Sequence, residues 1–257
     1  MASGFYAACS GLLAKMQALD VTANNLANVN TTGYKSENKF YSALTASLSQ
    51  TSAAMGPVNQ AINRFGILGG DFLNLGQGSM VPTGNPTDLA IEGSGFFVVQ
   101  TSAGTRFTRN GSFHLDTKGK LVDSNGNTVL GQGGKIQVPG LGKLGPVTIS
   151  SGSISISSDG TISVGGSMVG RLAVADFAPG TALTPEGALY FDAPAGSASP
   201  ATTYAVHQGS LEASNMDPVG GAIDLITIQR SADLMLKAVS IFNNDLDKTA
   251  AEQIARV

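Results

Sequence analysis

The side chains able to carry chemistry are few, and their spacing does not suit it. Among 257 residues there are two histidines and one cysteine. His114 and His207 stand on separate strand-like segments without Cys or Glu at the short spacings of a zinc site. Gly93-Ser94-Gly95 opens like a dinucleotide-binding loop, but Val98 occupies the third glycine position and no helical pattern follows. A phosphate-cradling loop ends in Gly-Lys-Ser/Thr, whereas Lys120, Lys135 and Lys143 are each followed by Leu or Ile. Serines are plentiful, yet no Gly-x-Ser-x-Gly elbow presents one as a nucleophile. Asp116 and Asp123 flank a turn and read as turn formers, not as a carboxylate pair. The expectation is a non-enzyme that uses no cofactor, metal or small-molecule substrate.

Tyr6-Ala7-Ala8-Cys9 loosely resembles a lipoprotein cleavage site, but it lies too early for a preceding apolar region. Cys9 therefore reads as a small buried apolar residue. The first basic residue, Lys15, comes after the apolar stretch, so no cleaved signal peptide is expected. A lone cysteine allows no internal disulfide.

Composition narrows the classes further. Fifteen Lys+Arg oppose 18 Asp+Glu, a net charge of −3 that leaves no basic footprint for nucleic acid or an anionic membrane surface. No apolar run reaches the ~18 residues of a membrane-spanning helix, so membrane insertion is not expected. Charged residues make up 13% of the chain, about half the usual ~25%, while 42% are apolar. The 33 glycines crowd the middle and avoid the ends.

Both ends read as long helices. Cys9, Leu12, Met16, Leu19, Ala23 and Leu26 recur at alternating spacings of three and four, a seam on a helix from about Ser3 to Asn28. At 1.5 Å per residue that rod is ~39 Å long. Its remaining surface carries only Lys15 and Asp20 as charges, with small and amide side chains otherwise. A solvated helix face is normally richer in charge, so contacts on more than one side are expected. Near the other end, Asp217-Pro218 is a helix start, followed by Leu225, Ile228, Ala232, Met235, Val239, Phe242 and Leu246 in the same rhythm. That helix runs to about Ile254, roughly 55 Å, with Gly220 and Gly221 weakening its first turn by about 1 kcal/mol each. Two long seams without local partners point to pairing with each other, and to full ordering only when copies pack together.

From about Gly76 to His207 the pattern is β. Phe96-Phe97-Val98-Val99, Thr105 to Thr108 and Ser153 to Ser157 are among many short runs bounded by Gly, Asn, Asp or Pro. Asn125-Gly126 and Asp159-Gly160 are hairpin-turn signals. Closely spaced strands without βαβ alternation predict an antiparallel sandwich or barrel. Thr181 to Thr203 reads as a long connection back to the second helix. The fold class is thus α+β. A discontinuous helical coiled-coil domain is drawn from 1–35 and 215–257. Residues 36–75 form an extended connector, and 76–214 a central antiparallel all-β domain.

Seven segments stand out together: Ala23-Asn24-Asn25-Leu26-Ala27-Asn28 through Gly33-Tyr34-Lys35, Thr83 to Phe97, Phe107 to Phe113, Gly119 to Val122, Val129 to Gly131, Gln208 to Asn215, and Gln229-Arg230. Taken together they resemble one family, the bacterial flagellar rod and hook axial proteins. Within the β part the motif residues are Gly84, Asn85, Pro86, Asp88, Leu89, Gly93, Gly95, Phe96, Phe97, Gly111 and Phe113. The resemblance implies a basal-body subunit, exported uncleaved through the flagellar type III apparatus and polymerised helically in the periplasm. Its partners would be copies of itself, other rod and hook subunits, and that export apparatus. It also implies terminal helices lining the tube around the export channel, with the β domain outside. Asn24, Asn25 and Asn28 would hydrogen-bond between neighbouring subunits, while the seam residues hold the two helices of one subunit together. The chain is too short for a typical hook protein, and its connector does not match the insert of distal-rod members, which leans the reading toward a proximal-rod type. Ser231-Ala232-Asp233 departs from the aromatic-acid pair usual after Gln-Arg. The rival class is a secreted, helically oligomerised β-domain adhesin or binding module.

Overall fold

The computed structural model describes residues 2–43, 67–138, 141–149 and 153–254. They fall into two compact units. One comprises Met1–Ala27, Glu37–Asn74 and Asp217–Val257, the other Asn28–Ser36 and Leu75–Met216.

The first unit is built on two helices, α1 (Ala2–Ala27) and α2 (Pro218–Ile254), packed against each other. Asp217 caps α2, its carboxylate oxygens accepting from the Val219 and Gly220 amides, both at 3.1 Å. With those amides satisfied and Gly221 buried, the first turn is helical despite its two glycines. Within the 36–75 stretch, Glu37–Ala43 pairs antiparallel with Ile67–Leu73, and α1 packs on this ribbon. Residues 44–66 of the expected connector lie outside the described residues.

The β unit is antiparallel throughout its described pairings. Its largest sheet runs in the order 184–186, 190–192, 104–108, 96–101, 128–138, 121–122, 114–115. Residues 142–146 also pair with 128–138, and Val174–Phe177 joins both 96–101 and 198–200. A separate three-stranded meander spans 154–171, and two short ribbons pair 204–208 with 89–93 and 210–212 with 80–82.

The unbroken apolar run Phe96 to Val99 makes sense because both faces of its strand are covered. Successive side chains alternate sides. Phe97 and Val99 enter a core with Leu89, Ile91, Phe113, Leu121, Val129, Ile162 and Leu172. On the opposite face Phe96 meets Phe177 and Phe191 edge-on, with ring centroids 5.6 and 5.5 Å apart.

The turns follow the sequence signals. Asp123 accepts from the Asn125 and Asn127 amides at 2.9 and 2.8 Å and so closes the Asn125-Gly126 turn. The Tyr190 hydroxyl donates to the same carboxylate at 2.7 Å; burial, then this bond, pushes the phenol above its ordinary pKa. Asp116 likewise accepts from the Lys120 and Lys118 amides, both at 2.8 Å, which hold its carboxyl below the usual range. One expectation fails: Thr181 to Thr203 is no plain connection but supplies strands 184–186, 190–192 and 198–200. Pro185 and Pro200 hid them, since proline is tolerated only in edge or very short strands. Phe191 and Ala198, both buried, anchor two of them.

A side chain at Gly111 would bring its Cβ within 1.6 Å of the Leu89 carbonyl oxygen, whereas at Gly126 nothing lies within 4 Å. Gly111→Ala is therefore expected to cost at least about 3 kcal/mol of β-unit stability. Gly126→Ala has only its left-handed backbone to strain, about 1–2 kcal/mol. Urea titration followed by far-UV circular dichroism measures both, and equal costs contradict this packing.

Candidate functional site: a sealed charge cluster and the faces of two helices

Three charges from distant parts of the sequence meet inside the β unit. Lys35 comes from the stretch after α1, Arg109 from the turn after strand 104–108, and Glu212 from the end of strand 210–212. The Lys35 ammonium donates to Glu212 Oε1 at 2.6 Å and to the Gly76 carbonyl at 2.8 Å. Arg109 Nη1 reaches Glu212 Oε2 at 3.1 Å, and its Nη2 donates to the Gly93 carbonyl at 2.7 Å. The Gly78 amide is the third donor to Glu212, reaching Oε1 at 2.8 Å. The guanidinium carbon lies 5.0 Å from the Phe96 ring centroid, a cation–π contact.

The backbone positions these groups. The Gly33 amide donates to the Glu212 carbonyl at 2.7 Å, and the Ser36 amide to Asn215 Oδ1 at 2.8 Å. Gly33 has φ 69°, and a Cβ there would fall 2.3 Å from the Asn110 amide nitrogen, so no other residue lets the segment approach this closely.

Two cations share one carboxylate, leaving the cluster with a net charge of +1. Burial lowers the Lys35 pKa, and Arg109 lowers it further, against the pull of Glu212. A lysine held below its ordinary pKa serves as a nucleophile in some sites. Here the Lys35, Glu212 and Arg109 side chains are 0%, 0% and 4% exposed, and nothing from solvent reaches the amine. The arrangement binds chain segments together rather than a substrate.

The β-motif residues divide between an exposed turn at Gly84, Asn85 and Pro86 and positions of the core or beside the cluster. Asp88 accepts from Thr83 Oγ1 at 2.7 Å and from Asn85 Nδ2 at 3.0 Å, closing the Thr83–Asp88 turn in which Gly84 takes φ 73°. The Pro86 carbonyl accepts from Gln208 Nε2 at 2.7 Å. Gly93 and Gly95 hold φ 91° and 123° beside backbone and side-chain neighbours, and Leu89, Phe96, Phe97 and Phe113 are buried.

On the helices, the placement of the proposed packing residues is mixed. Leu225, Ile228, Met235 and Val239 are half-buried and Ala232 buried, so the α2 seam faces inward. A Cβ on Gly11 would lie 3.0 Å from Met235 Sδ, which shows how closely α1 and α2 approach. On α1, Cys9, Leu12, Leu19, Ala23 and Leu26 are half-buried. Met16 departs from the seam: it is 54% exposed, and Ala14 is the buried residue in that turn. The side chains of Phe242 and Leu246 lie outside the described residues. Asn25 is buried, donates to the Glu37 carbonyl at 2.7 Å and accepts from the Glu37 amide at 2.9 Å, so its amide is engaged within the chain. Asn28 Oδ1 accepts from Thr31 Oγ1 at 3.1 Å, and Asn24 is exposed.

Among the described residues no group of His, Cys, Asp and Glu is arranged to hold a metal, and no helix is long and apolar enough to cross a membrane. A charge cluster closed to solvent, helices with apolar side chains on their outer surfaces and tightly built turns are features of packing. Comparison with known sequences gives the family. The flagella basal body rod protein profile matches residues 5–35, and that of the flagellar hook protein FlgE/F/G D1 domain matches residues 90–164. The flagellar basal-body rod protein FlgF of Caulobacter vibrioides is 34% identical over 258 aligned residues, spanning 100% of both chains. The rod protein FlgG of Agrobacterium fabrum is 33% identical over 91% of this chain and 92% of its own, and that of Bacillus subtilis 33% over 90% and 91%. The chain belongs to the flagellar basal-body rod protein family, and its role is that of a structural rod subunit.

The cluster was missed as a site from sequence, although Lys35, Arg109 and Glu212 each sit inside a family-matched segment. Each is the only charged residue of a run otherwise made of amides, hydroxyls, glycine and apolar groups. That isolation was the available signal.

The charge imbalance makes the mutational effects unequal. Glu212→Gln leaves two buried cations uncompensated and is expected to cost about 3–5 kcal/mol. Lys35→Met leaves a balanced Arg109–Glu212 pair and should cost about 1–2 kcal/mol, mainly through lost hydrogen bonds. Because burial lowers the Lys35 pKa, the folded chain releases that proton while the unfolded chain, near the ordinary 10.5, still holds it. The Lys35 contribution to stability therefore rises with pH across that window. In urea titrations wild type should gain on Lys35→Met as pH approaches 10.5; a pH-independent difference contradicts the assignment.

Proposed function

We propose that this chain polymerises helically as an axial subunit of the basal-body rod and carries torque from the motor toward the hook. In this reading 1–35 and 215–257 are the tube-forming parts, α1 and α2 pair as a coiled coil, and 76–214 is the β domain. Its partners are further copies of itself and other rod and hook subunits, reached after uncleaved export through the flagellar type III apparatus into the periplasm. The function requires no catalysis.

One observation carries the reading. The α2 seam is already used by α1, yet Val219, Ile223, Ile226, Leu234 and Ile241 stay 51–68% exposed on the same helix. Apolar side chains repeated along a helix are stable in water only when something covers them, and an isolated helix pair offers no cover. The sparse charge on α1 is of a piece with this. The names of the full-length relatives supply the assembly in which such cover exists.

Leu26→Asp tests the proposal. In a flagellated strain lacking its own copy, the wild-type chain should restore swimming and appear in isolated basal bodies. The variant should do neither, while its β unit keeps the urea transition of wild type. Normal swimming with Leu26→Asp removes the packing role assigned to the helices.

A further inference from the structure

On each helix the stripe turned away from the shared contact has a charge at its centre, acidic on α1 and basic on α2, and this says which surface meets which. With 3.6 residues per turn, Val219, Ile223, Ile226, Leu234 and Ile241 fall in one stripe about 80° wide, diametrically opposite the seam that holds α1. Arg230 and Lys237 stand in the middle of that stripe and Asp233 at its margin, all exposed, so it is apolar with a basic centre. On α1 the outward side presents Leu13 and Met16, 58% and 54% exposed, with exposed Asp20 between their positions and the helix end. From residue 11 to 27 the only other charge on α1 is Lys15, which is half-buried and on another side.

We infer that the outer face of α2 in one copy docks on the outer face of α1 in a second copy. The inference rests on the rod reading for the identity of that second molecule. Pairing α2 with α2 would set Arg230 and Lys237 against their own duplicates, and pairing α1 with α1 would oppose Asp20 to Asp20. Like charges held together in a contact disfavour both self-pairings. The α1-to-α2 match instead joins an acidic apolar face to a basic one, using the same two helices that already pack through their inner sides. Because the two surfaces differ, the contact is heterologous: each copy still offers one face of each kind, and the association propagates instead of stopping at a dimer.

Cysteine cross-linking of the full chain in a Cys9→Ser background tests this. Two single-cysteine proteins, Leu13→Cys and Ile226→Cys, are oxidised separately and as a mixture. The mixture should give at least about tenfold more disulfide dimer than either protein alone. Asp20→Lys on the Leu13→Cys chain should abolish the product, and Arg230→Asp with Lys237→Asp on its partner should restore it, with helix content unchanged by circular dichroism. Equal dimer in the unmixed samples, no dimer in the mixture, or yields indifferent to these charges would each overturn the contact. The complementation experiment separates the two claims. A wild-type chain that enters basal bodies without the mixed cross-link keeps the rod reading and removes this contact. A mixed cross-link in a chain that never enters basal bodies does the reverse.

Discussion

Much of the β unit depends on one carboxylate. Glu212 accepts from an ammonium, a guanidinium and a backbone amide at 2.6, 3.1 and 2.8 Å, and so joins residues 35, 78, 109 and 212 at a point closed to water. In a low-dielectric interior such bonds are strong when complete and costly when broken. Here the carboxylate is fully engaged, and the excess positive charge is offset by the Phe96 ring face and by the Gly93, Ile91 and Gly76 carbonyls, while Arg109 Nε is buried without a hydrogen-bond partner among the described residues. The site thus needs surrounding backbone to keep its shape, which is why glycines with positive φ and buried turns lie around it.

The same region contains the places where the chain passes between its two units. Residues 28–36 and 210–216 belong to the β unit, each contiguous with a terminal helix. Both stretches are tied by buried charges as well as by apolar contact. Directional bonds between few partners permit one arrangement, whereas apolar surfaces tolerate several. For a structural rod subunit that difference bears on function.

How far the sequence revealed all this depends on range. The α2 helix, the capping by Asp217 and the turns at Asn125-Gly126 and Asp159-Gly160 are local patterns, legible from local periodicity and turn chemistry. The alternating runs likewise located most strands. Lys35 and Glu212 are 177 positions apart, and no spacing rule connects them. Asn25 resembled an outward-facing amide because its partner is the backbone of Glu37, and backbone groups leave no trace in residue types. Met16 fits a heptad yet is exposed, while Gly11 lies against Met235 and Ala14 is buried. The strands at 184–200 were hidden by prolines and by their brevity.

The strand at Phe96–Thr101 has one more consequence. With apolar residues on both of its faces, a slip by one position would exchange Phe97 and Val99 for Phe96 and Val98, chemically near-equivalent sets, and the usual penalty of turning polar groups inward would be absent. Discrimination must come from shape. A Cβ at position 95 would come within 2.6 Å of Val174 Cγ1, and one at position 93 within 2.8 Å of the Thr203 carbonyl oxygen. A slipped strand would drive a phenylalanine or a serine into one of these spaces. Two missing methyl-sized groups therefore act as a positional key, fixing the alignment of a strand whose own chemistry would accept either setting.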